Sequence, residues 1–268
     1  MKMVVGAIAG FGILTVVFFV LQRIWPAEPG LAMVRRGYRL DAIYWLFTAL
    51  ITSPATKLLT GIVAAVLVVA FGHGLTRDDI LRGHGPLSQT SLWLQGALLV
   101  AALDFAGYWS HRLFHGRRLW PFHAIHHSSV DLDWLSATRL HPINDLVSRL
   151  IQIVPFLLLG LSPATVVSAV PLLTLYAILL HANLDWDFGP LRYVAASPVF
   201  HRWHHTCEEE GRDKNFAGLL PAWDLLFGTF YMPRSHRPRR FGTCDPVAES
   251  LGGQLRYPFR RRPMASIA

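Results

Sequence analysis

The chain has 268 residues, of which 52% are hydrophobic and only 16% charged. An ordinary soluble domain carries roughly 25% charged residues, so this balance argues against a large soluble core and for a membrane protein. The formal charge of +8 gathers in connecting segments and at Arg234, Arg237, Arg239, Arg240 and Arg260 to Arg262, flanking apolar stretches as the positive-inside rule expects, which argues against nucleic-acid binding.

In chain order, Met3 to Leu21 is uncharged and long enough to span a bilayer, which needs ~20 residues. A secretory signal would have a shorter apolar core followed by small residues, so a retained anchor is expected. Arg35, Arg36 and Arg39 then mark a cytoplasmic loop. Ala42 to Phe71 is apolar but interrupted by Pro54 and Lys57, giving either one long kinked helix or two short ones. A polar, Gly-rich loop follows from Gly72 to Thr90, and a further span from about Ser91 to Trp109 runs into His111. Leu150 to Leu180 carries no charge and is broken by Gly160 and Pro163, which reads as a helical hairpin closed by His181. Segments before and after a hairpin share one face of the membrane. Arg112, Arg117, Arg118, Arg139, Arg192, Arg202 and Arg212 flank them and make that face cytoplasmic. No later segment is apolar enough to cross again, and residues from about Val247 read as a tail that could touch anionic lipid. The two cysteines, Cys207 and Cys244, form no disulfide framework and are expected reduced.

The expected fold is an all-α, multi-span helical bundle with a cytoplasmic histidine-rich cap. Residues 1–92 form N-terminal anchor helices, 93–233 a catalytic domain and 234–268 a basic tail.

Eight of the thirteen histidines fall into three patterns: His111/His115 (HxxxH), His123/His126/His127 (HxxHH) and His201/His204/His205 (HxxHH). HxxxH alone is weak at this histidine content, whereas two HxxHH triplets arise together by chance in fewer than about one such chain in a thousand. Residues i, i+3 and i+4 of a helix share a face, so each cluster can offer two or three imidazoles to one point. Neutral imidazole suits Fe, Zn, Cu and Ni, and eight rings exceed what one ion needs, so two ions are the natural count. There is no HExxH of a zinc protease and no ExxH pair of a carboxylate di-iron bundle.

The segments Asp104-Phe-Ala-Gly-Tyr-Trp-Ser-His-Arg-Leu-Phe-His115, His123-Ala-Ile-His-His-Ser-Ser129 and His201-Arg-Trp-His-His205 resemble the fatty acid hydroxylase/sterol desaturase superfamily. So do Asp213-Lys-Asn-Phe-Ala-Gly218 and Trp223-Asp-Leu-Leu-Phe-Gly-Thr229, and the resemblance covers roughly Trp93 to Pro233. It implies a non-haem di-iron enzyme that uses O2 and reducing equivalents to hydroxylate or desaturate a lipid C–H bond, with zinc a possible substitute. The lipid would be a fatty acyl, sterol or related molecule. His181 sits where family members carry a further ligand, although Ala177 replaces the histidine some of them have four residues earlier. His141, in Thr138-Arg-Leu-His-Pro142, resembles the family's RxHP element and joins the candidate ligands; its alternative is a helix-entry residue. Asp104, Asp213, Asn215 and Asp224 are candidates to take the outward N–H of a liganded ring, with helix capping as the alternative for the aspartates. His73, His84 and His236 lie outside any pattern and receive no metal role; His73 and His84 fall on the opposite side of the membrane.

No nucleotide-binding glycine fingerprint and no flavin or haem motif is present. The resemblance implies a lipid substrate and O2 as partners, and the missing motifs put the electrons on a separate donor, whether reductase, ferredoxin or cytochrome. The protein is expected to be a multi-pass integral membrane protein, in the inner or plasma membrane if bacterial. The alternative is a non-catalytic metal-binding transporter or sensor, which would carry ionisable residues towards the membrane midplane.

Overall fold

A computed structural model of the chain describes residues 1–72 and 74–260, so His73, Arg261 and Arg262 lie outside the described residues. Among the described residues the regular structure is helical, and the one β-type contact is an isolated bridge between Thr206 and Phe241.

Four helical stretches there are long and apolar enough to cross a membrane. They are α1 (Lys2–Ile24), the stretch Tyr38–Phe71, α5 (Leu92–Phe114) and α7 (Pro142–Leu159). Their outer faces carry exposed Ile8, Ile13, Val16, Leu58, Val66 and Val69. Such apolar bands suit hydrocarbon and would be unfavourable in water.

Tyr38–Phe71 is one continuous helical stretch, which decides between the two readings of that region. It comprises α2 (Tyr38–Phe47), a π-helical turn at Thr48–Thr52, and α3 (Ser53–Phe71). A proline lacks a donor and its ring crowds the carbonyl four residues back, here that of Leu50. The wider π turn makes room at that point without ending the helix.

The segment from Gly74 to Thr90 is more ordered than a loop. Thr76 and Asp79 form a reciprocal capping box that starts α4 (Arg77–Arg82), and Pro86–Gln89 makes a 3-10 turn. Ser91 caps α5. α7 and α8 (Pro163–His181) form the expected hairpin, turned by Gly160 at φ 61°. A Cβ at that glycine would lie 2.3 Å from the His84 carbonyl, and His84 N–H donates to the Gly160 carbonyl at 2.7 Å. The hairpin tip thus meets the 74–90 segment. The ends of α5 and α8 that carry His111, His115 and His181 lie at the other end of the bundle, where α1 ends and α2 begins.

At that end the N-terminal helices are joined to the histidine-bearing segments by a buried ion network. Arg35 Nη2 contacts Asp41 Oδ2 at 2.7 Å and Asp133 Oδ1 at 2.5 Å, and Arg139 Nε contacts Asp41 Oδ1 at 2.6 Å. Arg192 donates to the Met232 carbonyl, and Arg202 to the Leu132 carbonyl and to Glu28. Arg35, Arg139, Arg192 and Arg202 are therefore interior structural charges rather than membrane-surface markers. Arg36, Arg39, Arg117, Arg118 and Arg212 remain exposed.

The C-terminal region is also not a free tail in its described part. Ser250 caps α11 (Leu251–Arg256), Gln254 is buried, and Tyr257 packs with Leu40, Tyr44, Ala124 and Ile125. The apolar spacing Leu251, Leu255 and Phe259 is short, which hides such a helix among the arginines.

Candidate metal centre

Nine histidines converge into two groups. His111, His115, His123, His127 and His204 form one, and His126, His181, His201 and His205 the other. Within each group the candidate ligand nitrogens lie within 4.8 Å of one another. The two groups adjoin: the His127 and His205 rings stack at 4.4 Å between centroids.

Each HxxHH triplet brings two of its rings to one point, within the expectation of two or three, and sends the third to the other group. At 3.6 residues per turn, i+3 lies about 60° to one side of i and i+4 about 40° to the other. In α9 (Pro198–His205), His201 and His205 therefore stay together while His204 faces the other group. The first triplet begins at the end of α6 (Trp120–His123) and continues into a 3-10 turn at His126–Ser128. There His123 and His127 stay together and His126 crosses over. Each triplet thus contributes to both groups and fixes them relative to each other.

The outward nitrogens of six rings are held by oxygens that can only accept, so in each the Nδ1–H donates. His111 donates to the Phe216 carbonyl (2.8 Å), His115 to Asp213 Oδ1 (2.8 Å) and His123 to Asn144 Oδ1 (2.8 Å). His126 donates to the Arg139 carbonyl (3.1 Å), His181 to the Ala177 carbonyl (2.7 Å) and His204 to the Lys214 carbonyl (2.8 Å). A neutral ring with its proton on Nδ1 presents a bare lone pair at Nε2.

Those lone pairs face one another. His111 Nε2 lies 3.0 Å from His123 Nε2, and His126 Nε2 lies 3.1 Å from His181 Nε2. Neither pair has a proton to share, so neither contact is a hydrogen bond between neutral rings. The buried Nε2 atoms of His115 and His204 have no partner at all. One cation in each group, accepting the lone pairs of that group, resolves the conflict. With metal–nitrogen bonds of ~2.1 Å, nitrogens about 3 Å apart suit adjacent positions on one ion. The donor set is all nitrogen, which fits Fe, Zn, Cu or Ni.

Burial supports the same protonation state. It pushes His123, His126, His127, His201, His204 and His205 well below the ordinary imidazole range, and the neighbouring imidazoles push the same way. These rings are neutral at pH 7 and ready to bind a metal.

His141 stands outside both groups. It caps α7: its Nδ1 accepts from Ile143 N–H at 3.1 Å, so its proton is on Nε2, which donates to the Leu255 carbonyl at 3.2 Å. The four polar candidates divide. Asp213 Oδ1 accepts from His115 Nδ1–H, and that bond draws its carboxyl below the ordinary range. Asp224 accepts from Phe216 N–H, Ala217 N–H and the Thr229 hydroxyl, fixing the segment whose Phe216 carbonyl holds His111. Asn215 joins the Phe200 and Tyr231 backbones. Asp104 accepts from Leu220 N–H and Trp223 Nε1–H, tying α5 to the start of α10 (Ala222–Leu226) and the residues just ahead of it.

Asn144 was not among the sequence candidates; its signal is an amide at the buried start of an apolar helix, three residues after a helix-capping histidine. Asp213 and Asn215 have φ of 55° and 58°. Asp and Asn are the residues that best tolerate this left-handed region. The two turns aim the Asp213 carboxylate at His115 and the Lys214 carbonyl at His204. Cys207 and Cys244 are free thiols and join neither group.

Comparison with known proteins places the histidine segments within a family match. The fatty acid hydroxylase family model matches residues 96–229, half of the chain. The ornithine lipid hydroxylase OlsE of Rhizobium tropici is 34% identical over 181 residues, covering 67% of this chain and 54% of that protein. The alkylglycerol monooxygenase of Danio rerio is 35% identical over 151 residues, covering 56% of this chain and 33% of that protein. The very-long-chain aldehyde decarbonylase GL1-5 of Oryza sativa subsp. indica is 28% identical over 165 residues, covering 54% and 25%. This chain spans about half the length of the first of these relatives and less of the others. No solved structure matches it. On the family match and the histidine segments within it, the chain belongs to the fatty acid hydroxylase family.

Proposed function

We propose that this chain is a membrane-bound, non-haem di-iron lipid hydroxylase whose nine converging histidines hold the two ions. The observation that carries the proposal is the pairing of proton-free Nε2 atoms across both groups, each oriented by an Nδ1–H bond on its far side. His141 is left out of the ligand set because both of its ring nitrogens are engaged elsewhere.

Iron would supply the redox chemistry for using O2 at an unactivated C–H bond, and zinc, which has none, would occupy the same nitrogens without turnover. The overall reaction is R–H plus O2, two electrons and two protons to R–OH plus water. The chain's own contribution is orientation and exclusion. The six Nδ1–H anchors fix ring planes and tautomers, and a lost anchor of this kind typically weakens metal binding. Close packing around His123, His126, His127, His201, His204 and His205 keeps bulk water from the rings.

The substrate proposed is a polar membrane lipid. The names of the relatives, ornithine lipid hydroxylase and alkylglycerol monooxygenase, favour hydroxylation over desaturation. The exposed arginines Arg36, Arg39, Arg117, Arg118 and Arg212 favour a cytoplasmic centre, in the inner membrane if the chain is bacterial. Electrons would come from a separate donor protein. Residues 1–92 would act as anchor helices and 93–233 as the catalytic domain.

The test is metal content per chain, donor-dependent O2 uptake, and lipid mass spectrometry of cells with and without the gene. Two irons, uptake only with donor, and lipids gaining one oxygen are the expected results. Tightly held zinc with neither uptake nor an altered lipid would overturn the proposal in favour of a metal transporter or sensor.

A further inference from the structure

Trp203 lies between His201 and His204 in α9, yet its side chain turns away from both histidine groups. It is fully buried, and its indole Nε1–H has no acceptor. Its ring makes edge contacts with Tyr231 (5.0 Å between centroids, 89°) and His236 (5.2 Å, 90°). Gly211 allows this packing: a Cβ there would meet the Trp203 carbonyl at 2.8 Å and its ring at 3.0 Å.

Tyr231 and His236 carry this aromatic contact to the surface and converge on one carboxylate. The Tyr231 hydroxyl donates to Glu210 Oε2 at 2.9 Å, and His236 Nε2–H donates to Glu210 Oε1 at 2.9 Å. Ser235 Oγ–H donates to His236 Nδ1 at 2.9 Å. The position of Tyr231 is fixed: its N–H donates to Asn215 Oδ1 and its carbonyl accepts from Asn215 Nδ2, which also holds the Phe200 carbonyl in α9. Glu210, His236 and Ser235 are exposed, and none of these groups bears on the metal ligands' own hydrogen bonds.

We propose that Trp203, Tyr231 and Glu210 form an escape path for oxidising equivalents, carrying them from the histidine centre to the protein surface when no lipid is in place. The proposal rests on the oxygenase reading above. Trp203 gives one electron to the centre, which is reduced by one, and Trp203 becomes a radical cation. Tyr231 then gives one electron to Trp203, and its phenolic proton passes to Glu210 Oε2. The products are restored Trp203, a neutral tyrosyl radical and a protonated Glu210. A one-electron reductant of the thiolate or ascorbate class returns the electron at the surface, and the proton returns from Glu210.

The direction follows from the hydrogen bonds. Without an acceptor, the Trp203 cation keeps its proton and remains a strong oxidant. Tyr231 has a carboxylate within a hydrogen bond, so its oxidation is eased by proton loss. The bonds from His236 and then Tyr231 hold Glu210 below the ordinary carboxylate range, so it is ionised and able to accept.

The test uses the full chain in detergent, loaded with iron and treated with hydrogen peroxide in the absence of lipid. Electron paramagnetic resonance of freeze-quenched samples and peptide mass spectrometry are the readouts. Wild type is expected to show a tyrosyl radical. Tyr231→Phe should lose that signal and accumulate several-fold more oxidised Trp203 and ligand-histidine peptides. Glu210→Gln should lower the radical yield, and zinc-loaded protein should give none. An unchanged signal and adduct pattern in Tyr231→Phe, or no radical in iron-loaded wild type, overturns the path. Lipid product formed with an electron donor, but no radical with peroxide, sinks the path alone. A radical at Tyr231 with no lipid product under any donor sinks the hydroxylase reading and leaves the path standing.

Discussion

His126 and His127 are adjacent in the chain but face different groups. His126 Nε2 lies 3.1 Å from His181 Nε2, while His127 Nε2 lies 3.2 Å from His123 Nε2. Substituting either one therefore tests a different ion site. His126→Ala leaves three histidines in its group, and His127→Ala leaves four in the larger one. His126→Ala should lower bound metal from about two ions per chain to about one, while His127→Ala should retain both with a weakened one. Metal analysis of purified protein checks this. Equal losses in the two variants would contradict the division into groups.

Asn144 should matter nearly as much as a ligand. Its Oδ1 accepts from His123 Nδ1–H, and its Nδ2 donates to Ser148 Oγ at 3.3 Å, which fixes the amide's orientation. Asn144→Leu removes the acceptor and frees the ring to change tautomer. Loss of such an anchor typically weakens metal binding about 10–100-fold. Asn144→Asp keeps an acceptor and should bind metal far better than Asn144→Leu. Chelator competition on the two variants measures the difference.

These two cases show how much of the centre was legible in the sequence. The histidines stand out because two dense triplets are rare. The assignment of each ring to a group does not, because it depends on a rotation of about 100° between i+3 and i+4 and on an irregular turn at His126–Ser128. Four of the six Nδ1 acceptors are backbone carbonyls, which leave no residue-type signal. Arg35 and Arg139 look like membrane-surface charges in the sequence because the pairings that bury them are long-range: Asp133 lies 98 residues from Arg35, Asp41 lies 98 from Arg139, and Asp41, near Arg35, is shared between them. The spans were readable, since length and lack of charge suffice; the π turn was visible only as Pro54 inside an apolar run.

Asp41 links stability to the metal centre. It is fully buried between Arg35 and Arg139, and the carbonyl of Arg139 accepts from His126 Nδ1. Asp41→Asn leaves the buried Arg139 guanidinium without a charge partner and Arg35 with Asp133 alone. Breaking a buried pair in this way costs about 3–5 kcal/mol. The variant should unfold at a markedly lower temperature in detergent and lose metal preferentially from the group containing His126. Thermal unfolding followed with metal analysis distinguishes this from a purely local effect, which would lower the unfolding temperature with metal content intact.

The metal-free protein should be sensitive to mild acid. His123, His126, His127, His204 and His205 have depressed values in the folded state because burial disfavours the imidazolium. In the unfolded chain each titrates near 6.5. Between those limits the unfolded state binds protons that the folded state does not, so stability falls as pH falls. The full contribution is present above about 6.5 and is lost progressively below it. Bound metal should steepen the loss, because protons compete directly for the same Nε2 lone pairs. Unfolding temperatures of metal-free protein across pH 5 to 8 should decline below about 6.5. A flat profile through that window would mean that the rings are accessible to protons in the folded state, and the case for a water-excluding centre would fail with it.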